Sequence, residues 1–520
     1  MFGLRFSRWY LFVAAFAVQF CLSCIYAWSV LNRPIDFAIY GDAAKGRAVN
    51  TFYICVGVSG LATAALGPIV ERNGPRWAVS IGSTLFLVGH VVTGIGCHYQ
   101  SIACIYVGYG VIAAIGMAMC YVSPVSTLQK WFPDYRGTAA GFAIAGSGAG
   151  AAVWSKVYLP TVDAVGLPWM FVVVGAVMSA IMYVSLIALR VPPQDYTVNG
   201  LNIHGDCVDE IEALDEKADI DAFVVVHTPT VREAANNNNV TATKLPTKLP
   251  TKLPTKLLTL KQAVLTPDFV LINIMFLANQ LFGVIVLARL SSMCTDLFSQ
   301  SAATASDIVS INSVFNCCGR LVFSGVSDLL VRCFNVEKAF ARKVIYYITL
   351  GVQIVVIGSL PTVIRDDNFT YFVVEMFVLT SSYGGGMSTI PALLTDMYGA
   401  FNVGPMHGIT FLSAAIGAVV GGIAFNASYS HKVDSGMTIG EAYIDNLQVI
   451  LIVVCLGFAV LLFVRTDEND RLEPGYHYSL CGRRVVSISA KSKKESTAEQ
   501  CQEAAEAEAT VAEKLPAGAV

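Results

Sequence analysis

Apolar runs of about 20 residues, the length a bilayer core requires, recur along the chain and are separated by polar turns. The pattern predicts twelve membrane segments. Six fall near 10–32, 51–70, 77–96, 102–126, 138–159 and 168–190, and six near 268–289, 303–327, 343–363, 369–394, 403–426 and 447–465. A polar stretch, 191–266, divides the two sets, and residues 467–520 are polar again. The expected architecture is an all-α membrane protein of two pseudo-symmetric six-helix bundles, 1–190 and 267–466. A cytoplasmic low-complexity loop joins them and a cytoplasmic tail follows.

Basic residues set the orientation. With the N-terminus inside, Arg72, Arg76, Lys130, Arg136, Arg332, Lys338, Arg342 and Lys343 fall on inner loops, with Arg190 and Arg465 at inner helix ends. Arg33, Lys45, Arg47, Arg289, Arg365 and Lys432 remain outside. The bias places both termini and the central loop in the cytoplasm. The sequons Asn368-Phe-Thr and Asn426-Ala-Ser then lie on outer loops open to glycosylation, and Asn239-Val-Thr lies inside. The central loop repeats Lys-Leu-Pro-Thr over Lys244–Thr259, where proline prevents a regular helix. It reads as a flexible basic tether, with Lys244, Lys248, Lys252 and Lys256 available to anionic lipid. The acidic, alanine-rich stretch Glu503–Glu513 reads as solvated tail.

Composition agrees with a polytopic membrane protein. Of 520 residues 55% are hydrophobic and only 14% charged, against about 25% charged in soluble domains. Mean hydropathy is +0.60. Fourteen cysteines, scattered mostly through apolar segments, read as small core residues. Arg5 and Arg8 lead into a full-length span, so the first helix is expected to be retained. The sequence has no Walker loop, no Gly-x-Ser-x-Gly elbow and no zinc-ligand spacing. Enzymatic chemistry, a cofactor, a metal and nucleic-acid binding are therefore not expected.

One segment carries a charge well inside it. Arg320 precedes Asp328, at the segment's expected cytoplasmic end, by eight residues, or roughly 12 Å of helix. Asn312 and Asn316 precede it at spacings of four, so the three share a face. A charge at that depth costs about 2.5–3.5 kcal/mol and should face a wet cavity or a partner. An anion-binding site is the leading reading; an arginine paired for structural reasons is the alternative.

After the second segment comes Gly67-Pro-Ile-Val-Glu71-Arg72-Asn-Gly74-Pro-Arg76, and after the eighth a weaker version, Gly325-Val-Ser327-Asp328. The glycines permit a tight turn and close helix approach, and the charges can bridge helices while one side is closed. A motif repeated at matching positions of two halves indicates an internal repeat, as in rocking transporters. It resembles the mark of the major facilitator superfamily. Further stretches narrow the resemblance: Ile25-Tyr26-Ala27-Trp28-Ser29-Val30, Tyr121-Val-Ser-Pro124, Lys130-Trp131-Phe132-Pro133-Asp134-Tyr135-Arg136-Gly137, Gly146-Ser-Gly148-Ala-Gly150 and Gly319-Arg320. Together they are similar to the oxalate:formate antiporter family and its monocarboxylate-transporter relatives.

That resemblance implies a secondary transporter of a small organic anion working by alternating access, by antiport or with a co-transported proton. Arg320 matches the family's basic residue of helix eight. The lysine of helix eleven has no counterpart in Gly408–Gly417, so one carboxylate rather than two is expected to be paired. Asn312, Asn316, Tyr26, Trp28, Tyr121 and Tyr383 are the expected substrate contacts. Gly67, Glu71, Arg72, Gly74, Arg76 and Asp328 are the expected gate. His90 and Glu375 are the candidates for proton coupling. Lys156 is expected to snorkel to the interface, Asp396 and His407 to anchor loops, and Gly384–Gly386 with Pro391 to mark a bend or a close contact in helix ten. A monomer in the plasma membrane is expected. Two other readings stay open: a transporter of a neutral metabolite such as an amino acid or sugar, and a transporter-like sensor signalling through the central loop.

Overall fold

The computed structural model describes residues 7–43, 45–193, 195–203, 259–399, 403–467, 470–471, 475–480 and 483–489. Residues 244–258 of the repeat, the Asn239 sequon and Glu503–Glu513 lie outside them. Twelve long helices follow one another: α1 (Tyr10–Tyr40), α2 (Val49–Asn73), α3 (Pro75–His98) and α4 (Ile102–Trp131); α5 (Arg136–Val165) and α6 (Leu167–Ser185); α7 (Pro267–Leu287), α8 (Ala302–Cys333) and α9 (Lys338–Arg365); α10 (Phe369–Tyr398), α11 (Val403–Asp434) and α12 (Ile439–Leu462). Ten are long and apolar enough to cross a membrane. The other two, α5 and α10, are diluted by glycine, serine and threonine. Each expected segment coincides with one helix. Most run on beyond the apolar stretch, because backbone hydrogen bonding continues into polar residues.

Local sequence explains the irregular points. In α1 the stretch Ser23–Leu31 tightens to a 3₁₀ helix, and it is there that Tyr26 and Trp28 project. Such a mid-helix stretch often marks a functional hinge. Gly74 ends α2 at φ +82°, a conformation that disfavours any side chain, and Pro75 opens α3. Asn199 and Gly200, both at positive φ, turn a short hairpin of β1 (Thr197–Val198) and β2 (Leu201–Asn202). That hairpin corrects the expectation of a structureless loop from 191 onward. A second correction concerns the tail, where β3 (Gly475–Leu480) pairs antiparallel with β4 (Arg483–Ser489). It belongs to a separate small unit beginning at Arg465.

The largest seams between the bundles join α5 to α8 and α2 to α11. Glycine makes both possible. A Cβ at Gly148 would lie 2.7 Å from Cys317 Cα, one at Gly141 2.8 Å from the Arg320 carbonyl, and one at Gly408 2.6 Å from the Thr63 carbonyl. Gly146 and Gly150 face the other way, onto the Phe16 and Phe20 carbonyls of α1. Gly384, Gly385 and Gly386 are places of close contact in α10, which is continuous through them. They receive Asn316, Phe323 and Asn279 from neighbouring helices. The Asn368 sequon keeps its place in the turn between α9 and α10, and that of Asn426 is corrected. Asn368 caps α10, accepting from the Tyr371 N–H at 3.2 Å. Asn426 lies within α11, not on a loop, and accepts from Arg289 Nε at 2.8 Å.

Candidate functional site

Arg320 sits on the α5–α8 seam with no exposure to solvent. Its Nε donates to Asn316 Oδ1 at 2.8 Å, one helical turn away on the same face. Its Nη1 reaches across to the other bundle, donating to the Ile144 carbonyl at 2.9 Å and to Ser147 Oγ. Nη2 is buried without a partner among the described residues. The guanidinium carbon lies 5.9 Å from the Tyr26 ring centroid. Among the described residues every contact of this cation is neutral, a costly arrangement in a low-dielectric interior.

Two chambers, mainly apolar with a few polar groups set in their walls, open beside it between the bundles, and both reach Tyr26. The first is lined by Trp28, Ser29, Asn32, Asn312, Asn316 and Thr380 among others. The second is lined by Gln19, Tyr121, Ser147, Gln280 and Tyr383, with apolar residues such as Phe52, Met387 and Phe411. The structure thus brings all six expected contacts to a chamber wall, though not to equal purpose. The Tyr121 hydroxyl and Asn312 Oδ1 are buried and unpaired, whereas the Trp28 indole N–H is spent on the Ala48 carbonyl at 3.1 Å. The Trp28 ring also packs 4.3 Å from that of Tyr109. Tyr383 is pressed against Gly283, where no side chain would fit.

The end bearing the Gly67–Arg76 turn is closed by charge. Asp328, at the end of α8, accepts from the backbone N–H groups of Gly137 (3.2 Å) and Thr138 (2.6 Å) and from Thr138 Oγ1 (2.7 Å), all at the start of α5. An acid at a helix N-terminus meets unpaired N–H groups and the positive end of the dipole. Glu71 mirrors it: its carboxylate reaches Gly404, in the first turn of α11. Arg342 pairs with Asp328 at 2.7 Å and with Asp396 at 3.1 Å, and Arg136 pairs with Asp396 at 3.3 Å across the bundles. The side chains of these four are nearly or wholly buried.

Glu71 bridges from α2 to α4, pairing with Lys130 and accepting from Ser126 Oγ. Arg72 is exposed, and Arg76 donates to the Leu189 carbonyl at 2.8 Å beyond the end of α6. Asp396, expected to anchor a loop, has a buried side chain and pairs with both Arg136 and Arg342 on other helices. Arg136, Arg342 and Asp396 were missed as a group because they lie on three segments that only the fold brings together.

The remaining ionisable groups are dispersed. His90 is packed among Phe86, Tyr109 and Phe171, with Nδ1 at 2.8 Å from the Phe86 carbonyl. Glu375 accepts from Ser359 Oγ at 2.6 Å. Neither lines a chamber. Lys156 does not simply snorkel: it pairs with Asp307 across the α5–α8 seam, at the end away from the charged gate. Both partners are about half exposed there (48% and 63%), so the pair adds little. His407, expected near a loop, is buried behind the chamber wall with its ring 5.9 Å from Tyr121.

Two six-helix bundles with chambers between them and a buried cluster of ion pairs at one end are the arrangement of a membrane transporter. The model of the Major Facilitator Superfamily matches residues 11–422, and the chain belongs to that superfamily. The oxalate:formate antiporter of Oxalobacter formigenes is 22% identical over 81% of this chain and 84% of its own. The uncharacterized MFS-type transporter YhjX of Escherichia coli (strain K12) is 21% identical over 79% of this chain and 86% of its own. Among solved structures, the proton:xylose symporter XylE superposes with a TM-score of 0.60 at 14% identity, covering 88% of this chain and 94% of its own. A bacterial homologue of the iron transporter ferroportin, in an outward-facing state with soaked iron, superposes at 0.58 with 12% identity, covering 88% and 99%. These two likenesses concern the fold alone.

Proposed function

We propose that this transporter carries a small organic anion, a monocarboxylate foremost, by alternating access, with Arg320 as the counter-charge. The observation that carries the reading is the state of that arginine: wholly buried between the bundles, held by neutral acceptors, with Nη2 unpaired among the described residues, behind the wall of a chamber. A carboxylate entering the chamber supplies the missing negative charge and can accept from Nη2 and from the Tyr121 hydroxyl. Drawing Arg320 toward the substrate loosens its hold on Ile144 and Ser147 of the opposite bundle, so binding and bundle motion are coupled through one side chain. The resemblance to a named oxalate:formate antiporter supports an anion as cargo.

Exchange is the favoured mode. Without substrate the bundles must move with a bare buried cation, which opposes return of the empty carrier. Neither His90 nor Glu375 lines either chamber, which favours exchange over proton coupling through these two groups. The charged gate is assigned to the cytoplasmic side, following the distribution of basic loop residues. That assignment makes the present conformation inward-closed, with both termini cytoplasmic.

The test is thermal stabilisation of the purified protein by small carboxylates and by neutral analogues of matched size. A ligand that binds only the folded state raises its stability once its concentration exceeds the dissociation constant. Carboxylates should stabilise the wild type and not Arg320→Ala. Stabilisation by neutral solutes alone would refute the anion reading. A neutral cargo has one observation in its favour, since three hydrogen bonds of Arg320 are already made within the protein; the same panel decides between the two.

A further inference from the structure

Two glutamines line the second chamber and take no part in the contacts of Arg320: Gln19 of α1 and Gln280 of α7. They occupy matching places, one in the first helix of each bundle, within Ala17-Val18-Gln19-Phe20 and Ala278-Asn279-Gln280-Leu281. Both are buried, at 0% and 2% exposure. Gln19 Nε2 donates to the Tyr121 carbonyl at 2.8 Å. A carbonyl only accepts, so the amide orientation is fixed, and Oε1 is left buried with no partner among the described residues. Gln280 Nε2 donates to Asn279 Oδ1 at 2.9 Å, and Asn279 Nδ2 donates onward to Thr349 Oγ1 at 3.2 Å. This chain turns the Gln280 nitrogen into its own bundle as well.

The chamber therefore offers two kinds of group. Tyr121 presents a donor at the wall and Arg320 stands behind it, bonded to Ser147 of the lining, whereas each glutamine keeps its carbonyl oxygen, a pure acceptor. The two kinds are close together. A Cβ at Gly146 would lie 3.1 Å from Gln19 Cβ, and the next residue, Ser147, accepts from Arg320. An unsubstituted carboxylate brings only acceptors and would leave Gln19 Oε1 unsatisfied in a closed chamber. No aspartate or glutamate lines this chamber, so nothing there balances an ammonium group.

We propose that Gln19, seconded by Gln280, is a specificity-determining residue that reads a hydrogen-bond donor beside the carboxylate, so that the preferred cargo is a 2-hydroxy monocarboxylate. The carboxylate faces Arg320 and Tyr121, and the 2-hydroxyl donates to Gln19 Oε1. This deepens the organic-anion reading and rests on it.

The test compares uptake of propanoate, 2-oxopropanoate, 2-hydroxypropanoate and 2-aminopropanoate into liposomes holding the purified full chain. The wild type should take up the hydroxy acid with a kcat/KM at least about tenfold above the other three, the scale of one buried acceptor left unpaired. In Gln19→Leu the ratio of hydroxy acid to propanoate should fall toward one, and Gln280→Leu should lower it less. Equal use of the three anions, or no uptake of the hydroxy acid, overturns the role of the glutamines. Preference for the amino acid overturns it as well. The anion reading fails separately, if only neutral solutes stabilise the protein. Should Gln19→Leu not fold, the wild-type ranking still decides.

Discussion

Asp328→Asn tests the charged gate at its most connected point. The aspartate accepts three hydrogen bonds across the seam, from the Gly137 and Thr138 N–H groups and from Thr138 Oγ1, and pairs with Arg342 within its own bundle. A bond to a charged acceptor contributes about 1.5–3 kcal/mol, against about 0.5–1.5 for a neutral one, so each of the three weakens by about 1 kcal/mol. One carboxylate oxygen also becomes an amide nitrogen, which cannot accept from Gly137 or Thr138. When the gate is open these groups are in water and the substitution costs little. The closed state should therefore lose about 3 kcal/mol relative to the open one, roughly a hundredfold in the ratio of the two. Thr395 reports on the gate: it is buried, and its Oγ1 lies 3.5 Å from Gln129 of the other bundle. With Cys318, Cys333 and Cys455, the exposed cysteines among the described residues, and also Cys207, Cys481 and Cys501 replaced, a Thr395→Cys background should react with a membrane-impermeant maleimide far faster when Asp328→Asn is added. Labelling rates within threefold of each other, in protein of unchanged stability, would refute the gating role of Asp328.

Four further outcomes follow from the same contacts. Glu71→Gln loses the Lys130 pair and the carboxylate at the start of α11; exchange should slow several-fold while the substrate concentration giving half-maximal stabilisation stays within twofold. Gly148→Val places a branched side chain where a Cβ already lies 2.7 Å from Cys317 Cα; transport should fall below a tenth of wild type with the protein still inserted, as read by uptake beside surface labelling. Lys156→Ala removes an exposed pair and should change thermal stability by less than about 1 kcal/mol. Arg320→Lys keeps the charge but loses the fork that reaches Asn316, Ile144 and Ser147 together; carboxylate binding should weaken at least tenfold in a stabilisation titration.

Much of the fold was readable because each membrane helix announces itself within its own twenty residues. The Asn316–Arg320 pair was readable for the same reason, since a spacing of four fixes a shared face whatever the tertiary structure. Asp396 was misread because its partners, Arg136 and Arg342, stand far from it in sequence, and nothing local distinguishes a gate residue from a loop charge. Gln19 and Gln280 passed unremarked because an uncharged amide in an apolar segment costs too little to stand out. Their role depends on which end of the amide is already bonded, and that is a tertiary fact. The β3–β4 hairpin was within reach: Tyr476 to Leu480 and Val485 to Ile488 carry strand-forming residues that a reading tuned to helical spans passes over.

The glycines along the α5–α8 and α2–α11 seams have a consequence for how the transporter responds to its surroundings. Where backbone lies on backbone, parting the surfaces frees few rotamers and exposes little hydrocarbon. Conformational exchange should then draw little on side-chain entropy or on a change in heat capacity, the terms that dominate unfolding. What differs between the closed and open forms is chiefly the hydration of a few ions at one end. Temperature should thus move the balance only weakly, and ionic strength more strongly as the opened charges become screened. A single methyl group set into either seam becomes a wedge that selects a conformation without touching the cargo.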